Sequence, residues 1–152
     1  MSSADVAAAQ RANRGSRRRS REFALQALYQ WLLNGDDADA LCRQAAEKKE
    51  YARADTAYLE AMVRGVVGAA DELAEAVQPF LDRPVAQLSP IERALLLIGA
   101  YELIHSRDVP YRVVINEAVE LAKSYGGTDG HKYVNGVLDK VAAQARSQET
   151  RK

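Results

Sequence analysis

The chain has 152 residues with 21 basic and 21 acidic side chains, so its formal net charge is zero. Its length fits one domain with a hydrophobic core, and its single cysteine, Cys42, excludes an internal disulfide and a multi-cysteine zinc site. No apolar run has the form of a signal peptide or the length of a membrane span, so we expect a cytoplasmic protein without membrane contact.

The charges are segregated along the chain. Residues 1–21 contain six arginines and one acid, a net +5, whereas the remaining residues carry 15 basic and 20 acidic side chains, a net −5. This asymmetry indicates nucleic acid or an acidic surface as partner, although composition alone is equally consistent with a solvated tail. Residues 1–15 are rich in Ala, Ser, Arg and Gly without periodic apolar positions, and are predicted to be a disordered basic N-terminal extension.

Helical periodicity begins near Ser16. Apolar residues recur at helical spacing over residues 17–33, and an Asn-Gly pair ends that run. A weaker pattern indicates a short helix over residues 37–47. The apolar pattern over residues 58–80 contains two internal glycines, which disfavour a continuous helix, so two helices in tandem fit better than one.

The second half has clearer helix boundaries. A serine N-cap, a proline and a glutamate over residues 89–92 form a capping box, which starts an apolar helix that runs to about His105. Another helix starts at residues 108–110 and ends at a Gly-Gly pair. The last helix opens around residues 128–131 and fades at Ala145. No segment shows period-2 alternation, so the fold class is all-α, with short connections that favour helical bundles.

Residues suited to catalysis are sparse. The two histidines, His105 and His131, lie in no catalytic motif, and with one cysteine they cannot supply a tetrahedral metal set. We therefore expect no enzyme activity, no metal and no cofactor. The glycine-rich stretch 126–132 lacks the spacing of a nucleotide phosphate loop. It does lead into a helix N-terminus that favours anions, and the alternative interpretation is that Asp129 itself caps that end.

Lys132 and Tyr133 stand at the start of this last helix. Recognition of single-stranded RNA places unstacked bases on aromatic rings and phosphates on lysine or arginine. The pair is therefore a candidate for RNA contact, and half-buried packing of the tyrosine is the alternative.

Two parts of the chain resemble one protein family. The segment from Arg17 to Trp31, RRRSREFALQALYQW, closely resembles the first helix of the NusB family of bacterial transcription antitermination factors. The runs over 108–123 and 131–139, which contain DVPY, INEAVELAK and HKYVNGVLD, look like that family's signature. The likeness covers about residues 16–145.

The resemblance implies two packed three-helix bundles with one extra short helix. A single domain over residues 16–146 would comprise an N-terminal bundle over about 16–82 and a C-terminal bundle over about 88–146, followed by a flexible tail over 147–152. The implied function is binding of the boxA element of nascent RNA together with the ribosomal protein NusE, which supports transcription of ribosomal RNA operons. The complex would join RNA polymerase with other Nus factors.

The resemblance also assigns residues by position. The implied RNA contacts are Arg17, Arg18, Arg19, Arg21, Gln26, Lys132 and Tyr133. The implied contacts on or near the partner surface are Tyr29, Glu92, Tyr125 and Asp129. Residues 1–15 lie outside the family pattern, so a role for Arg11 and Arg14 stays open.

The residues leave two other functions open. Similar domains precede catalytic domains in ribosomal RNA cytosine methyltransferases, but those enzymes need a cofactor-binding domain and a nucleophilic cysteine downstream, and this chain ends at Lys152. The chain could instead be a protein–protein adaptor whose arginines contact an acidic partner.

Overall fold

A computed structural model of the protein describes residues 2–127 and 129–151, so the predicted helix start at Thr128 lies outside the described residues. These residues form α-helices joined by loops and single 3₁₀ turns, with no strand among them, and none of their helices is long and apolar enough to cross a membrane. The helices are α1 (Ser3–Asn34), α2 (Ala38–Ala46), α3 (Thr56–Gly68), α4 (Ala70–Val77), α5 (Pro90–His105), α6 (Tyr111–Tyr125), α7 (Gly130–Ala145) and α8 (Ser147–Thr150).

The helices pack as two three-helix groups around one hydrophobic core. Helices α1, α2 and α3 contact one another, as do α5, α6 and α7, and α5 also packs against α1 and α3. Most of the length of α5 is buried, as its apolar circumference predicts. Helix α4 lies in the range expected for the N-terminal bundle, but it packs mainly against α5 and also contacts α7.

Several predicted boundaries are found. Gly35 adopts a left-handed backbone with φ of 72° and ends α1 by donating its N–H to the Trp31 carbonyl at 2.8 Å. Ser89 caps α5 through the Glu92 N–H at 3.2 Å. The predicted tandem pair is α3 and α4, and Gly65 lies inside α3, where a Cβ would come within 2.3 Å of the Tyr101 ring. Gly65 thus allows α3 and α5 to approach closely.

The start of α1 differs from the sequence-based expectation. Residues 3–15 were expected to be disordered, yet α1 begins at Ser3. The reason is local: Ser2 and Asp5 form a capping box, with the Ser2 hydroxyl accepting from the Asp5 N–H at 3.1 Å. Alanines then fill five of the positions between Ser3 and Gly15, and alanine has the highest intrinsic helix propensity.

The C-terminal segment is also more ordered than expected. The tail over residues 147–152 was expected to be flexible, but Ser147–Thr150 forms α8. Buried Arg146 donates to four backbone carbonyls at and just beyond the end of α5, including Leu103 O at 2.7 Å and Val109 O at 2.9 Å. Glu149 accepts from the Tyr111 N–H at 2.8 Å, which caps α6. These hydrogen bonds hold the segment against the second bundle.

Candidate nucleic-acid interface

Arg17 lies at the edge of the contact between α1 and α3. Its guanidinium carbon is 4.3 Å from the centroid of the Tyr58 ring, a cation–π contact. Its nitrogens approach the carboxylates of Asp55 and Asp108 at only 3.6 and 3.8 Å. The side chain remains 26% exposed, so Arg17 is held in place by the ring while its charge is loosely paired.

Arg18 and Arg19 form ion pairs at the surface. Arg18 donates from Nε and Nη2 to the two carboxylate oxygens of Glu117 on α6, at 2.9 and 3.1 Å. These hydrogen bonds raise the pKa of Arg18. Arg19 donates to Glu50 at 3.1 Å. The two arginine side chains are 60% and 40% exposed, respectively, so both charges remain accessible to a polyanion.

Arg21 corrects the sequence-based assignment. Its side chain is 4% exposed and donates to both carboxylate oxygens of Glu102 on α5, at 2.6 and 2.8 Å. Tyr58 donates a hydrogen bond from its hydroxyl to the same carboxylate. Burial is the main cause that raises the pKa of Tyr58, and the nearby Glu102 charge is the second. Arg21 is therefore a core residue in this structure, and its guanidinium is occupied by Glu102. It shares the helix face of Ala24, Leu25 and Leu28, which face the core.

Gln26 lies beside basic residues that sequence reasoning missed. Its carboxamide oxygen accepts from Nζ of Lys48 at 2.7 Å. Together with Arg19 and Lys49, these side chains line a shallow surface pocket of about 280 Å³. The available signal was the adjacent lysine pair in the charged run after α2, but the run alone gave no indication that it folds back onto α1.

Tyr133 and Lys132 occupy the first turn of α7. The Tyr133 hydroxyl donates to Asp82 Oδ1 at 2.9 Å, and the ring is half-buried with the Arg83 guanidinium 5.9 Å from its centroid. Hydrogen bonds from Arg83 and then Tyr133 lower the pKa of Asp82 to about 2. Lys132 is exposed, and its Nζ lies 3.5 Å from Asp129. The tyrosine is thus anchored at its hydroxyl while the lysine extends into solvent.

The residues assigned to the partner surface fall in different places. Tyr29 is exposed on α1, and Leu33, one turn later, is 56% exposed. Tyr125 is exposed at the end of α6, where its hydroxyl donates to Glu22 of α1 at 3.3 Å. These positions give α1 and α6 exposed apolar or aromatic surface.

Glu92 and Asp129 lie close together between α5 and α7. The Glu92 carboxylate accepts from the Ser89 hydroxyl at 3.1 Å, and its other oxygen would lie 3.1 Å from a Cβ on Gly130. Asp129 is exposed and is the residue directly before Gly130. The absence of a side chain at Gly130 therefore allows Glu92 to approach the start of α7.

The residues assigned to RNA form two groups with different neighbours. Arg17, Arg18 and Arg19 contact α3, α6 and the loop after α2, whereas Tyr133 contacts the loop that precedes α5. Within the ranges that the structure describes, no group of three or more histidine, cysteine, aspartate or glutamate side chains is arranged to hold a metal ion. The chemistry on offer is charge, hydrogen bonding and aromatic surface.

The protein is a small all-helical domain built of two packed three-helix groups. It carries surface arginines on α1 and a lysine–tyrosine pair at the start of α7. The sequence model of the NusB family matches residues 18–143. The chain therefore belongs to the NusB family.

Individual relatives agree with this assignment. The transcription antitermination protein NusB of Ralstonia nicotianae is 56% identical over 136 residues, which cover 90% of this chain and 88% of the relative. The protein of the same name from Thiobacillus denitrificans is 54% identical over 135 residues, covering 89% and 93%.

Solved structures share the fold. NusB of T. maritima superposes with a TM-score of 0.77 at 27% identity, covering 90% of this chain and 97% of that one. A crystal structure of the antitermination factors NusB and NusE in complex with dsRNA gives a TM-score of 0.74 at 26% identity, covering 88% and 98%.

Proposed function

We propose that this protein is a cytoplasmic transcription antitermination factor without catalytic activity, which binds the boxA element of nascent RNA jointly with NusE. The complex acts with other Nus factors and RNA polymerase and supports transcription of ribosomal RNA operons. Family membership supports this proposal, as does the fold shared with a NusB solved together with NusE and RNA.

The observation that carries the proposal is the arrangement of Arg18 and Arg19. Both guanidinium groups are held by carboxylates that come from other elements, yet both stay substantially exposed. The Arg19–Glu50 ion pair is exposed on both sides and contributes at most about 1 kcal/mol, so a phosphate can replace or join the Glu50 carboxylate at little cost. At Arg18, where Glu117 is 9% exposed, a phosphate would join the carboxylate at the exposed side of the guanidinium. The arginines are thus oriented before RNA arrives.

The RNA surface extends beyond the arginines in this proposal. Lys48, Lys49 and Gln26 add two positive charges and an amide beside Arg19. Lys132 and Tyr133 form the second group, in which the lysine contacts phosphate and the exposed part of the tyrosine ring stacks on a base. Charge alone would bind RNA of any sequence, so the second group supplies contacts that depend on the base.

NusE is proposed to contact the remaining assigned residues. Tyr29 with Leu33 offers exposed apolar surface on α1, and Tyr125 lies at the end of α6. Glu92 and Asp129 offer carboxylates near the start of α7. Aromatic residues surrounded by polar groups are typical of protein interfaces.

The test is a titration of labelled boxA RNA with the protein, with and without NusE, at several salt concentrations. We expect Arg19→Ala and Tyr133→Ala to weaken binding, and Arg19→Ala to flatten the log–log salt slope by about 0.7 because one phosphate contact is lost. Arg64→Ala is the matched control: Arg64 is 44% exposed and pairs with Asp39 and Glu60.

The results separate the alternatives. Wild-type affinity and salt slope in both site variants would contradict the assigned site. Equal affinity for boxA and a scrambled RNA, with NusE present or absent, would instead support the adaptor hypothesis. Methyl transfer by the purified chain would overturn the non-catalytic assignment.

A further inference from the structure

A groove of about 480 Å³ lies between the N-terminal part of α1 and the start of α6. Its volume is within the range of about 300–1,000 Å³ that is usual for small-ligand pockets. One wall contains Gln10, Asn13, Arg14 and Arg17 of α1, and the opposite side includes Pro110 and Val113. The family match begins at residue 18, so most of the first wall belongs to the N-terminal extension.

Helix geometry explains why these side chains line one wall. Residues 10, 13, 14 and 17 are spaced i, i+3, i+4 and i+7, which places them on a single face of a helix. This face exists because α1 starts at Ser3 and not at the arginine cluster. A disordered extension would form no wall.

The basic side chains of this wall have unused hydrogen-bond donors. Over residues 2–127 and 129–151, neither the Arg14 nor the Arg17 side chain donates a hydrogen bond; Arg14 has no ion pair, and Arg17 has only the two long ones to Asp55 and Asp108. Nε of Arg17 is buried without a hydrogen-bond partner, while the guanidinium is held on the Tyr58 ring. Of the two acids on the other side, Glu117 is committed to Arg18, and Asp108 approaches Arg17 Nη1 at only 3.8 Å.

The chemistry of the groove matches a nucleotide. Two guanidinium groups suit a phosphate, and the carboxamides of Gln10 and Asn13 can both donate to and accept from a base edge. Pro110 is exposed and Val113 is half-buried, so they offer apolar surface to a base or ribose. Asp108 has an exposed carboxylate at the rim of the groove. This carboxylate can accept a hydrogen bond from the exocyclic amine of a base, so it disfavours an acidic peptide more strongly than a nucleotide.

We propose that this groove binds one nucleotide of single-stranded RNA next to the boxA element. The inference rests on the proposed function, because the groove continues into the arginine cluster through Arg17. It assigns a role to the extension: the added helical turns lengthen the RNA-binding surface, and Arg14 is the new phosphate contact.

The experiment compares three RNA probes on the full chain with NusE present. One probe is the boxA RNA alone, and the others carry about four additional adenosines at the 5′ or the 3′ end. We expect wild-type protein to bind one extended probe about tenfold more tightly than the core probe, which corresponds to one charge-assisted contact at the low end of its usual range. Arg14→Ala is expected to remove this gain and to leave affinity for the core probe unchanged.

Arg11→Ala is the matched control. It removes the same charge from the same helix, but Arg11 is exposed and is not among the groove-lining residues, so the gain from the extended probe should persist. Asn13→Asp provides an independent variant that adds a negative charge inside the groove, and it should also abolish the gain. Both positions are exposed, so the fold is expected to tolerate the changes.

Each contrary result has a distinct meaning. If neither extension strengthens wild-type binding while the core probe binds normally, the subsite is wrong and the proposed function stands. If wild-type protein does not bind the core probe, the proposed function fails and the subsite fails with it. If Arg11→Ala loses the gain as completely as Arg14→Ala, the effect is long-range charge. A loss of NusE affinity with unchanged RNA affinity in Arg14→Ala would make the groove a protein-docking site.

Discussion

The two halves of α1 form one continuous helix but are stabilised in different ways. Between Ser3 and Arg19 no residue is fully buried, and the helix depends on its capping box and on alanine-rich composition. From Ser20 to Leu28, six residues are buried against other helices. The first half therefore presents side chains to solvent, and the second half holds the fold together.

This difference separates two arginines that look alike in sequence. Arg18 and Arg21 each donate two hydrogen bonds to one glutamate, from α6 and α5 respectively. The Arg18 side chain is 60% exposed and the Arg21 side chain is 4% exposed. Glu117 is only 9% exposed, so solvent reaches the first pair from the Arg18 side alone, whereas both members of the second pair are buried and removing one leaves a buried charge without a partner. The two arginine–glutamate pairs therefore have the same hydrogen-bond pattern but contribute differently to the stability of the fold.

The largest expected effect comes from Arg21→Ala. The change leaves the Glu102 carboxylate buried with Tyr58 as its remaining side-chain donor, so we expect the free energy of unfolding to fall by about 3–5 kcal/mol. Urea denaturation followed by circular dichroism measures it. Arg19→Ala is the matched control, because Arg19 and its partner Glu50 are both exposed, and it should cost no more than about 1 kcal/mol. Equal losses in the two variants would contradict the division between structural and surface arginines.

A smaller effect is expected at the boundary between the two halves. The buried Ser20 hydroxyl lies 2.7 Å from the Asp55 carbonyl and 3.0 Å from the Ser16 carbonyl, and so joins α1 to the start of α3. Ser20→Ala should lower the free energy of unfolding by about 1–2 kcal/mol, because the Asp55 carbonyl loses a buried donor. The control is Ser16→Ala, whose hydroxyl bonds only locally to Asn13 O, and its effect should stay within about 0.5 kcal/mol. A larger loss in the control would place the boundary earlier in α1.

The same division explains what could be predicted from the sequence. The second half of α1, the capped start of α5 and the all-α class follow from apolar periodicity and capping residues, which report core burial directly. Periodicity is uninformative for residues 3–15, because that helix buries no apolar face and depends on local propensity. An interpretation based on periodicity also assigns charged residues to the surface, so the sequence did not reveal that Arg21 is buried.

A signal for the buried pair was nonetheless present. Arg21 occupies a core position three, four and seven residues before Ala24, Leu25 and Leu28, and Glu102 is an acid in the second, mostly apolar part of α5. Opposite charges at two core positions indicate pairing, but the sequence does not specify which helices meet. The groove and the Lys48–Gln26 contact were unpredictable for the same reason, since both depend on how separate elements pack.

The smallest expected change in global stability comes from Gly15, which lies in the exposed half of α1. A Cβ at this position would meet no atom within 4 Å, so Gly15→Ala should favour the helix locally by up to about 1 kcal/mol. Gly15→Pro should break the same turn, because proline lacks the N–H and clashes with the preceding turn. We expect amide exchange over residues 3–15 to slow in the first variant and to accelerate in the second. The urea midpoint should be nearly unchanged in both, because this half makes few contacts with the core.

A loss of global stability in Gly15→Pro as large as that of Arg21→Ala would mean that both halves unfold as one unit, and the extension would then belong to the cooperative core.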